Sequence, residues 1–552
     1  MTRSANQPSL PRVPSQLPEA ATYGELRSRF RWELPERFNI ATACCDAWAA
    51  AAPDRPCLIH DPLGATRTLT YGELKKRADA LAWDMKRRGI GPGDRVALLL
   101  PQGFDAAVAH MAVYKLGAIA LPLALLFGSD SVAHRLETAG AKAIVTTNEG
   151  LAKLEGMGDR PSTLEIVYST DGADGGVIDL AGAQRADAPF PTVETGPNDP
   201  ALMIFTSGTT GPPKGALHGH RVLIGHIPGV QTHHMPLPLD GDVLWTPADW
   251  AWAGGLLNVL LPGLALGVPV VSTPPAKFDP EAAFAVMERA HVTRVFMPPT
   301  ALRILATVDA PTDRLKLRTV GSGGEQLGAP THAWARDALG VTVNEFYGQT
   351  ECNLVLSGCA ALGVVDADAI GRPVPGHDVA ILGPSGMPLA DGERGEIAIR
   401  APDPVMFLRY WDQEQATREK YKNDWLLTGD QGWRDDRGLF HFQGRDDDII
   451  TSAGFRIGPG EIEDCLNGHP DVALSAAVGV PHPVRTQIVK AFVVLQAGVE
   501  PSERAKEALS EYVRSRLSAH EYPREIEFVA ELPLTVTGKV VRRELRDRAT
   551  AA

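Results

Sequence analysis

The sequence predicts an α/β protein: a large N-terminal domain of parallel-rich sheets with helices outside, a small β subdomain, and a smaller α+β unit at the C-terminus. Three observations carry this. Short apolar runs alternate with helical segments from Asn39 onward, the pattern of strands joined by helical crossovers. One such run, Ala201 to Phe205, leads directly into Thr206-Ser-Gly-Thr-Thr-Gly-Pro-Pro-Lys-Gly215, a loop rich in glycine and hydroxyls. At 552 residues the chain exceeds what one core supports, so two or more domains are expected.

In chain order, residues 1–35 are rich in proline and charge and read as a surface arm. Thr70 to Glu73 gives a capping-type start to a helix. Val96 to Leu100 reads as a buried strand, followed by a helix through Ala106 to Leu116. Ala143 to Thr146, Pro269 to Ser272, Arg294 to Met297 and Thr319 to Gly321 repeat the strand pattern, with helical segments such as Pro280 to Ala290 between them. Leu256 to Val271 is apolar but broken by Pro262, Gly263, Gly267 and Pro269, so it reads as a buried helix entering a strand and not as a bilayer span. Between Val374 and Arg400, glycine-rich turns separate short strands, the mark of a small β subdomain. At Asp446-Asp-Asp448 the pattern changes abruptly. The large domain is therefore placed at 36–445 and the small one at 446–552.

Net charge is −13, which argues against a nucleic-acid surface while leaving room for a local nucleotide site. The six cysteines form no CxxC pair and no dense framework, so reduced thiols in a cytoplasm are expected. The N-terminus has no apolar h-region of a secretory signal. His233-His234 and His218-Gly-His220 lack acidic or cysteine partners at ligand spacing and read as structural.

In the Thr206 loop, glycines let the backbone approach an anion, while hydroxyls and N–H groups donate to its oxygens and Lys214 adds charge. It is not a Walker A loop, because Gly215 follows Lys214. Further motifs follow in order: Tyr347-Gly-Gln-Thr-Glu351, Thr428-Gly-Asp430, Gly444-Arg-Asp-Asp-Asp-Ile-Ile450, Gly454-Phe-Arg-Ile457 and Pro533-Leu-Thr-Val-Thr-Gly-Lys539. From about residue 35 to the C-terminus the chain resembles the adenylate-forming superfamily of acyl-CoA synthetases, adenylation domains and luciferases, and within it the acetyl- and medium-chain acyl-CoA synthetases.

The resemblance implies an AMP-forming acyl-CoA synthetase using ATP, Mg2+ and coenzyme A. Thr206, Ser207, Gly208, Thr209, Thr210 and Lys214 would hold the β- and γ-phosphates. Gly324, Glu325 and Gln326 would line the adenine edge, although the family usually has proline where Gln326 stands. Tyr347 would stack on adenine beside Gly348 and Gln349, and Thr350 would touch the α-phosphate. Glu351, with Thr206, would hold magnesium. Asp430 would accept from both ribose hydroxyls, assisted by Arg445, with Arg456 a second nucleotide-associated arginine. Lys539 would bridge carboxylate and α-phosphate in the adenylation transition state. Asp447 would be the hinge of a mobile C-terminal domain. Gly454, Phe455, Arg485 and Arg514 would bind CoA. The context of Lys539 also resembles a lysine acetylation site, which implies an acetyltransferase and a deacetylase as partners.

Acetate-specific relatives carry bulky residues at four positions where this chain has Ala253, Gly254, Gly323 and Gly348. With Trp252 beside them, these residues predict an apolar pocket for a medium-length, branched or cyclic acid rather than acetate. Trp250 is the residue expected to refill part of that space. A stand-alone enzyme loading an aryl or amino acid onto a carrier protein is the alternative. No phosphopantetheine-type serine follows Lys539, and Arg485 with Arg514 favours free CoA. A regulatory nucleotide-binding module is disfavoured by the intact Lys539, Glu351 and Asp430.

Overall fold

The computed structural model describes residues 10–551 except 61–63, 158, 173, 186–187, 207–212, 274–276, 446–447, 453–454, 483–485, 518–521 and 536–538. The expected phosphate-loop residues Ser207, Gly208, Thr209 and Thr210, the CoA residues Gly454 and Arg485, and the hinge Asp447 lie outside the described residues. So do the side chains of Phe455 and Arg456.

The fold is α/β. A nine-stranded sheet has at its centre the parallel strands Val343–Tyr347, Thr319–Gly323, Arg294–Phe296, Leu244–Trp245, Val270–Ser272 and Pro56–His60, in that spatial order. A second, eight-stranded sheet is parallel through Pro200–Thr206, Ile119–Pro122, Arg95–Leu99, Ala143–Thr146, Ile166–Ser169 and Ile178–Asp179. Strands buried on both faces need near-continuous apolar runs, and Ala143–Thr146 and Val270–Ser272 are buried throughout. Between the sheets lies the largest core cluster, including Leu74, Val108, Ile224 and Leu260.

The expected elements form. Thr70 caps the helix Tyr71–Arg87 with both bonds of a capping box. The apolar stretch after Gly255 is helical through Leu256–Leu260 and Leu261–Leu266 and then enters Val270–Ser272. Among the described residues, no helix is long and apolar enough to cross a membrane. The β subdomain extends past Arg400: Val379–Leu382, Arg394–Arg400, Trp425–Arg434 and Phe440–Arg445 pair in one antiparallel sheet. A further sheet, built on the long hairpin Val472–His482 and Thr486–Leu495, forms the C-terminal unit.

One feature differs from the simple alternation. The Thr206 loop opens no helix; it joins Pro200–Thr206 to an antiparallel partner, Lys214–Gly219, which pairs in turn with Arg409–Tyr410. Lys214-Gly-Ala-Leu-His-Gly219 contains two glycines and no β-branched residue, so propensity hides this strand.

The N-terminal arm carries a short helix, Tyr23–Arg29, capped by Thr22. Leu26 and Phe30 are buried, the Tyr23 hydroxyl donates to the Pro373 carbonyl, and Trp32 Nε1 donates to the Gly376 carbonyl at 3.0 Å.

Candidate active site

Two adjacent parallel strands deliver two of the motifs. Gly323 and Phe346 are register partners at the carboxyl ends of Thr319–Gly323 and Val343–Tyr347. Gly324-Glu-Gln326 and Tyr347-Gly-Gln-Thr-Glu351 therefore leave the sheet side by side, at the edge where open α/β sheets bind ligands. Gly324 has φ +98°, a conformation that glycine adopts without strain. Glu325 is held in place from the helix Pro299–Leu305: Thr300 Oγ1 donates to it at 2.6 Å and Arg303 at 2.9 Å. Arg303 also reaches the Gln326 carbonyl at 3.3 Å.

Asp430 comes from the β subdomain. Strand pairing sets it opposite Arg445, and Arg445 Nη1 lies 3.3 Å from Asp430 Oδ1. Its other oxygen accepts from Tyr347 Oη and Gln349 Nε2, both at 2.6 Å. Gln349 Nε2 also donates to the Thr428 carbonyl at 2.8 Å. Burial pushes the Asp430 carboxyl up, against the pull of Arg445, Tyr347 and Gln349. The structure thus brings together Tyr347, Gln349, Asp430 and Arg445, which lie far apart in sequence.

Glu351 is buried, and the Tyr410 hydroxyl donates to its Oε1. Phe407 N donates to the Glu351 carbonyl at 2.8 Å. Lys214 Nζ sits 5.3 Å from the centre of the Tyr410 ring, a cation–π distance. Tyr410 therefore links the lysine of the phosphate loop to the expected magnesium ligand. Sequence reasoning missed Tyr410, Thr300 and Arg303. Each works through a partner more than twenty residues away, and no local spacing announces such a pair.

The Lys539 N–H donates to Thr535 Oγ1 at 3.0 Å. Its Cε lies 3.9 Å from the position that a Cβ on Gly324 would take. The lysine of the C-terminal unit is thereby set against the Gly324 turn of the large domain. The same orientation presses the helix Pro459–Asn467 against the large domain: Gly460 abuts the Gln326 amide, and Asp464 Oδ1 lies 2.8 Å from a Cβ position on Gly328.

The small residues expected to enlarge the acyl pocket do not leave open volume at their Cβ positions. A Cβ on Gly254 would meet the Phe296 ring at 2.9 Å, and one on Gly323 the Phe346 carbonyl at 2.5 Å and its ring at 2.7 Å. One on Gly348 would meet Asn353 Cα at 2.7 Å. Phe296 and Phe346, at 5.3 Å between ring centres, stand against Gly254 and Gly323 and share the main core cluster with Trp250. Trp252 packs edge-on against Phe127. The acyl loop also holds a carboxyl: burial raises Asp249 to about 6, while the Ala251 N–H donates to it at 2.9 Å.

Arg514, on Glu503–Arg516, borders a groove of about 760 Å3 in which Lys490, Lys506 and Arg524 alternate with Glu503, Glu507, Glu511, Glu525 and Glu527. Tyr522 has arginines at 4.7 and 5.6 Å from its ring centre, Arg524 and Arg514. The expected structural histidines are core residues: His233 stacks on Phe346, His234 Nδ1 lies 2.7 Å from Thr319 Oγ1, and the His220 ring accepts from Ile40 N–H at 3.1 Å. His218 is likewise buried.

Comparison with known proteins agrees with this architecture. The profile of the AMP-binding enzymes matches residues 45–411, and that of the AMP-binding enzyme C-terminal domain matches 461–539. Acetyl-coenzyme A synthetase of Bacillus subtilis is 32% identical over 92% of this chain and 90% of its own. The mitochondrial acyl-coenzyme A synthetase ACSM2B of Homo sapiens is 31% identical over 94% and 92%. Among solved structures, the anthranilate CoA ligase AuaEII in complex with anthranoyl-AMP superposes with a TM-score of 0.86 at 25% identity, over 94% of this chain and 98% of that one. ATP-bound MatB from Rhodopseudomonas palustris superposes with a TM-score of 0.82 at 27% identity, over 92% and 98%. With a lysine of the C-terminal unit meeting a cleft built from the motifs of the large domain, and with profiles matched over both parts, the chain belongs to the family of AMP-binding enzymes, within the adenylate-forming superfamily, as an AMP-forming acid–thiol ligase.

Proposed function

We propose that this enzyme converts a medium-length, branched or cyclic carboxylic acid to its acyl-CoA thioester in preference to acetate. The observation that supports the ligase reading best is Lys539 of the C-terminal unit set beside Gly324 of the large domain. In the first half-reaction the carboxylate attacks the α-phosphorus of ATP and pyrophosphate leaves. Two anions must meet, so positioning and charge neutralisation dominate. Lys539 supplies a flexible ammonium that reaches both. Asp430, aligned by Tyr347, Gln349 and Arg445, takes the ribose hydroxyls, while Lys214 and the Thr206 loop hold the outer phosphates. Glu351 and Thr206 offer the oxygen donors that a hard cation prefers, and Mg2+ there supplies charge neutralisation to the phosphates. In the second half-reaction the CoA thiolate attacks the acyl carbon and AMP leaves. Arg514 is the cation offered to a CoA phosphate, which would have to displace Glu511, 3.5 Å from its guanidinium.

The preference over acetate rests on the absence of a large side chain at Ala253, Gly254, Gly323 and Gly348. Phe296 and Phe346 keep the pocket compact, which suits branched or cyclic acids better than long chains. Exchange of labelled pyrophosphate into ATP, across a panel of carboxylic acids with and without CoA, tests the reading. Exchange with five- to eight-carbon acids well above acetate, and CoA-dependent release of AMP, are expected. Acetate as the best substrate would refute the preference, and product release that requires a carrier protein would favour the alternative enzyme. Acetylation of Lys539 by a protein acetyltransferase removes the ammonium and should stop the first half-reaction until a deacetylase restores it.

A further inference from the structure

The segment that grips Glu351 is itself gripped from the N-terminal arm. Residues 403–410 hold Glu351 twice. The Phe407 N–H donates to its backbone carbonyl at 2.8 Å, and the Tyr410 hydroxyl donates to its carboxylate. The Phe407 and Tyr410 rings pack edge-on at 4.9 Å, which ties the two grips together. Farther along, the Leu408 and Trp411 N–H groups donate to the Leu217 and Gly215 carbonyls at 2.6 and 2.8 Å. Those carbonyls belong to Lys214–Gly219, the strand that follows the phosphate loop.

Asp403 fixes the start of this segment. It is buried, as is His377, whose Nδ1 lies 2.7 Å from Asp403 Oδ2. A carboxylate only accepts, so His377 Nδ1 carries the hydrogen. The other carboxylate oxygen accepts from the Val405 N–H at 2.9 Å, and Arg221 Nη1 donates to the Asp403 and Pro404 carbonyls at 2.7 and 2.5 Å. A buried pair of this kind gains little stability over an apolar one. What it supplies is a fixed course for the chain from Asp403 toward Phe407. His377 is reached in turn from the arm. Its ring stands edge-on to that of Trp32 at 5.2 Å, and Trp32 Nε1 donates to the carbonyl of the preceding residue, Gly376, at 3.0 Å. Gly376 has φ +97°, and a Cβ there would meet the Phe30 ring and, at 2.7 Å, the Trp32 ring. The Tyr23 hydroxyl holds the other end of the same turn at the Pro373 carbonyl.

We propose that Trp32, His377 and Asp403 are positioning residues, a relay through which the N-terminal arm sets Glu351 for Mg2+. The inference rests on the acyl-CoA synthetase reading, in which Glu351 is the magnesium ligand, and adds three residues that lie outside the motifs of the cleft. The groups behind a metal ligand orient it and tune its affinity. The relay therefore acts on binding of the metal–nucleotide complex. It leaves binding of the acid and of the metal-free nucleotide alone.

Calorimetric titration with α,β-methylene-ATP, with and without Mg2+, reads this apart from turnover. In His377→Leu the Kd measured with Mg2+ should rise about tenfold or more, while the Kd without Mg2+ and the KM of the acid stay within about threefold. His377→Asn places an amide Nδ2 where Nδ1 meets Asp403, and should bring the Kd with Mg2+ back to within about threefold of wild type. Trp32→Leu, at the arm, should give a smaller shift of the same kind, about three- to fivefold. A merely structural His377 would lower Tm and the binding stoichiometry and leave the Kd of the folded fraction unchanged, which would overturn the proposal. If His377→Leu fails to fold, Trp32→Leu decides it: a Kd with Mg2+ equal to that of wild type would overturn it. Wild-type binding that gains nothing from Mg2+ refutes this inference while sparing the ligase reading. A wild type that binds no analogue under either condition refutes both.

Discussion

Lys539, on the C-terminal unit, lies beside Gly324 of the large domain, its Cε 3.9 Å from a Cβ position there. A group placed there acts in the orientation that brings the two units together. Lys539→Ala should therefore slow acyl-adenylate formation by roughly two orders of magnitude or more, as for loss of a preorganised donor. Thioester formation from supplied acyl-AMP should stay within about threefold, since that step does not need the bridging charge. Single-turnover assays of each half-reaction measure this, and equal loss in both would remove the assigned role. Tyr410→Phe is the counterpart at the metal side. It deletes only the hydroxyl that donates to Glu351 and keeps the ring beside Lys214. A hydrogen bond to a charged group is worth about 1.5–3 kcal/mol, so the Mg2+ concentration for half-maximal exchange should rise about tenfold or more, with a fall of a few degrees in Tm. An unchanged Mg2+ dependence would mean that Tyr410 only packs.

At the level of strands and helices, the side chains that stand against Gly254 and Gly323, two residues of the proposed acyl site, are buried apolars of neighbouring strands. The helix at Tyr71–Arg87 and the strand Ala143–Thr146 were legible because capping residues and unbroken apolar runs are local signals. Asp430 and Arg445 were legible as motif residues; that they face each other is a property of strand register. Phe296 and Phe346 look like ordinary strand apolars, and only the packing of Arg294–Phe296 and Val343–Tyr347 aims them at Gly254 and Gly323. Counting small residues thus overstates the open volume, since the neighbours that close it lie on other strands. Gly348→Trp is a poor length probe for the same reason, as even one Cβ there meets the Asn353 backbone. Phe296→Ala is the better one. It should cost about 3–5 kcal/mol of stability as a large-to-small core change, and move the optimum acid length upward by at least two carbons. Chain-length profiles of kcat/KM, beside a urea melt, check both. A destabilised protein with an unshifted profile would place Phe296 outside the acyl wall.

The contact between the two units contains a group whose charge opposes it. Asp464, on the C-terminal helix Pro459–Asn467, is pressed against Gly328 at the start of the large-domain helix Ala329–Leu339. Burial, then Glu463 on its own helix, raise its carboxyl to about 7; Glu345 and Asp368 across the interface add to this, and Arg303 pulls the other way. His332 stands 3.8 Å from Glu345, and Cys465 adjoins Asp464 on its own helix. With the units apart, an exposed Asp titrates near its usual value of about 3.9. Bringing them together therefore takes up a proton between about pH 4 and pH 7. Below that window both forms are protonated and closure is at its strongest. Through the window closure weakens, by up to about tenfold per pH unit. Above pH 7 both forms are ionised, Arg303 only partly offsets the half-buried carboxylate, and closure is at its weakest. The consequence is a bias: mildly acidic conditions hold the orientation that sets Lys539 at Gly324, and alkaline conditions release it for the thioester step. A donor–acceptor dye pair, one dye on each unit and placed away from the cleft, should report a closed fraction that falls between pH 5.5 and 7.5 in wild type. Asp464→Asn cannot ionise, so its closed fraction should be high and flat across that range, and its ratio of thioester formation to adenylation should drop. A wild-type closed fraction independent of pH, or an Asp464→Asn profile that still falls, would assign the pH response of closure to Glu345, His332 or a group elsewhere.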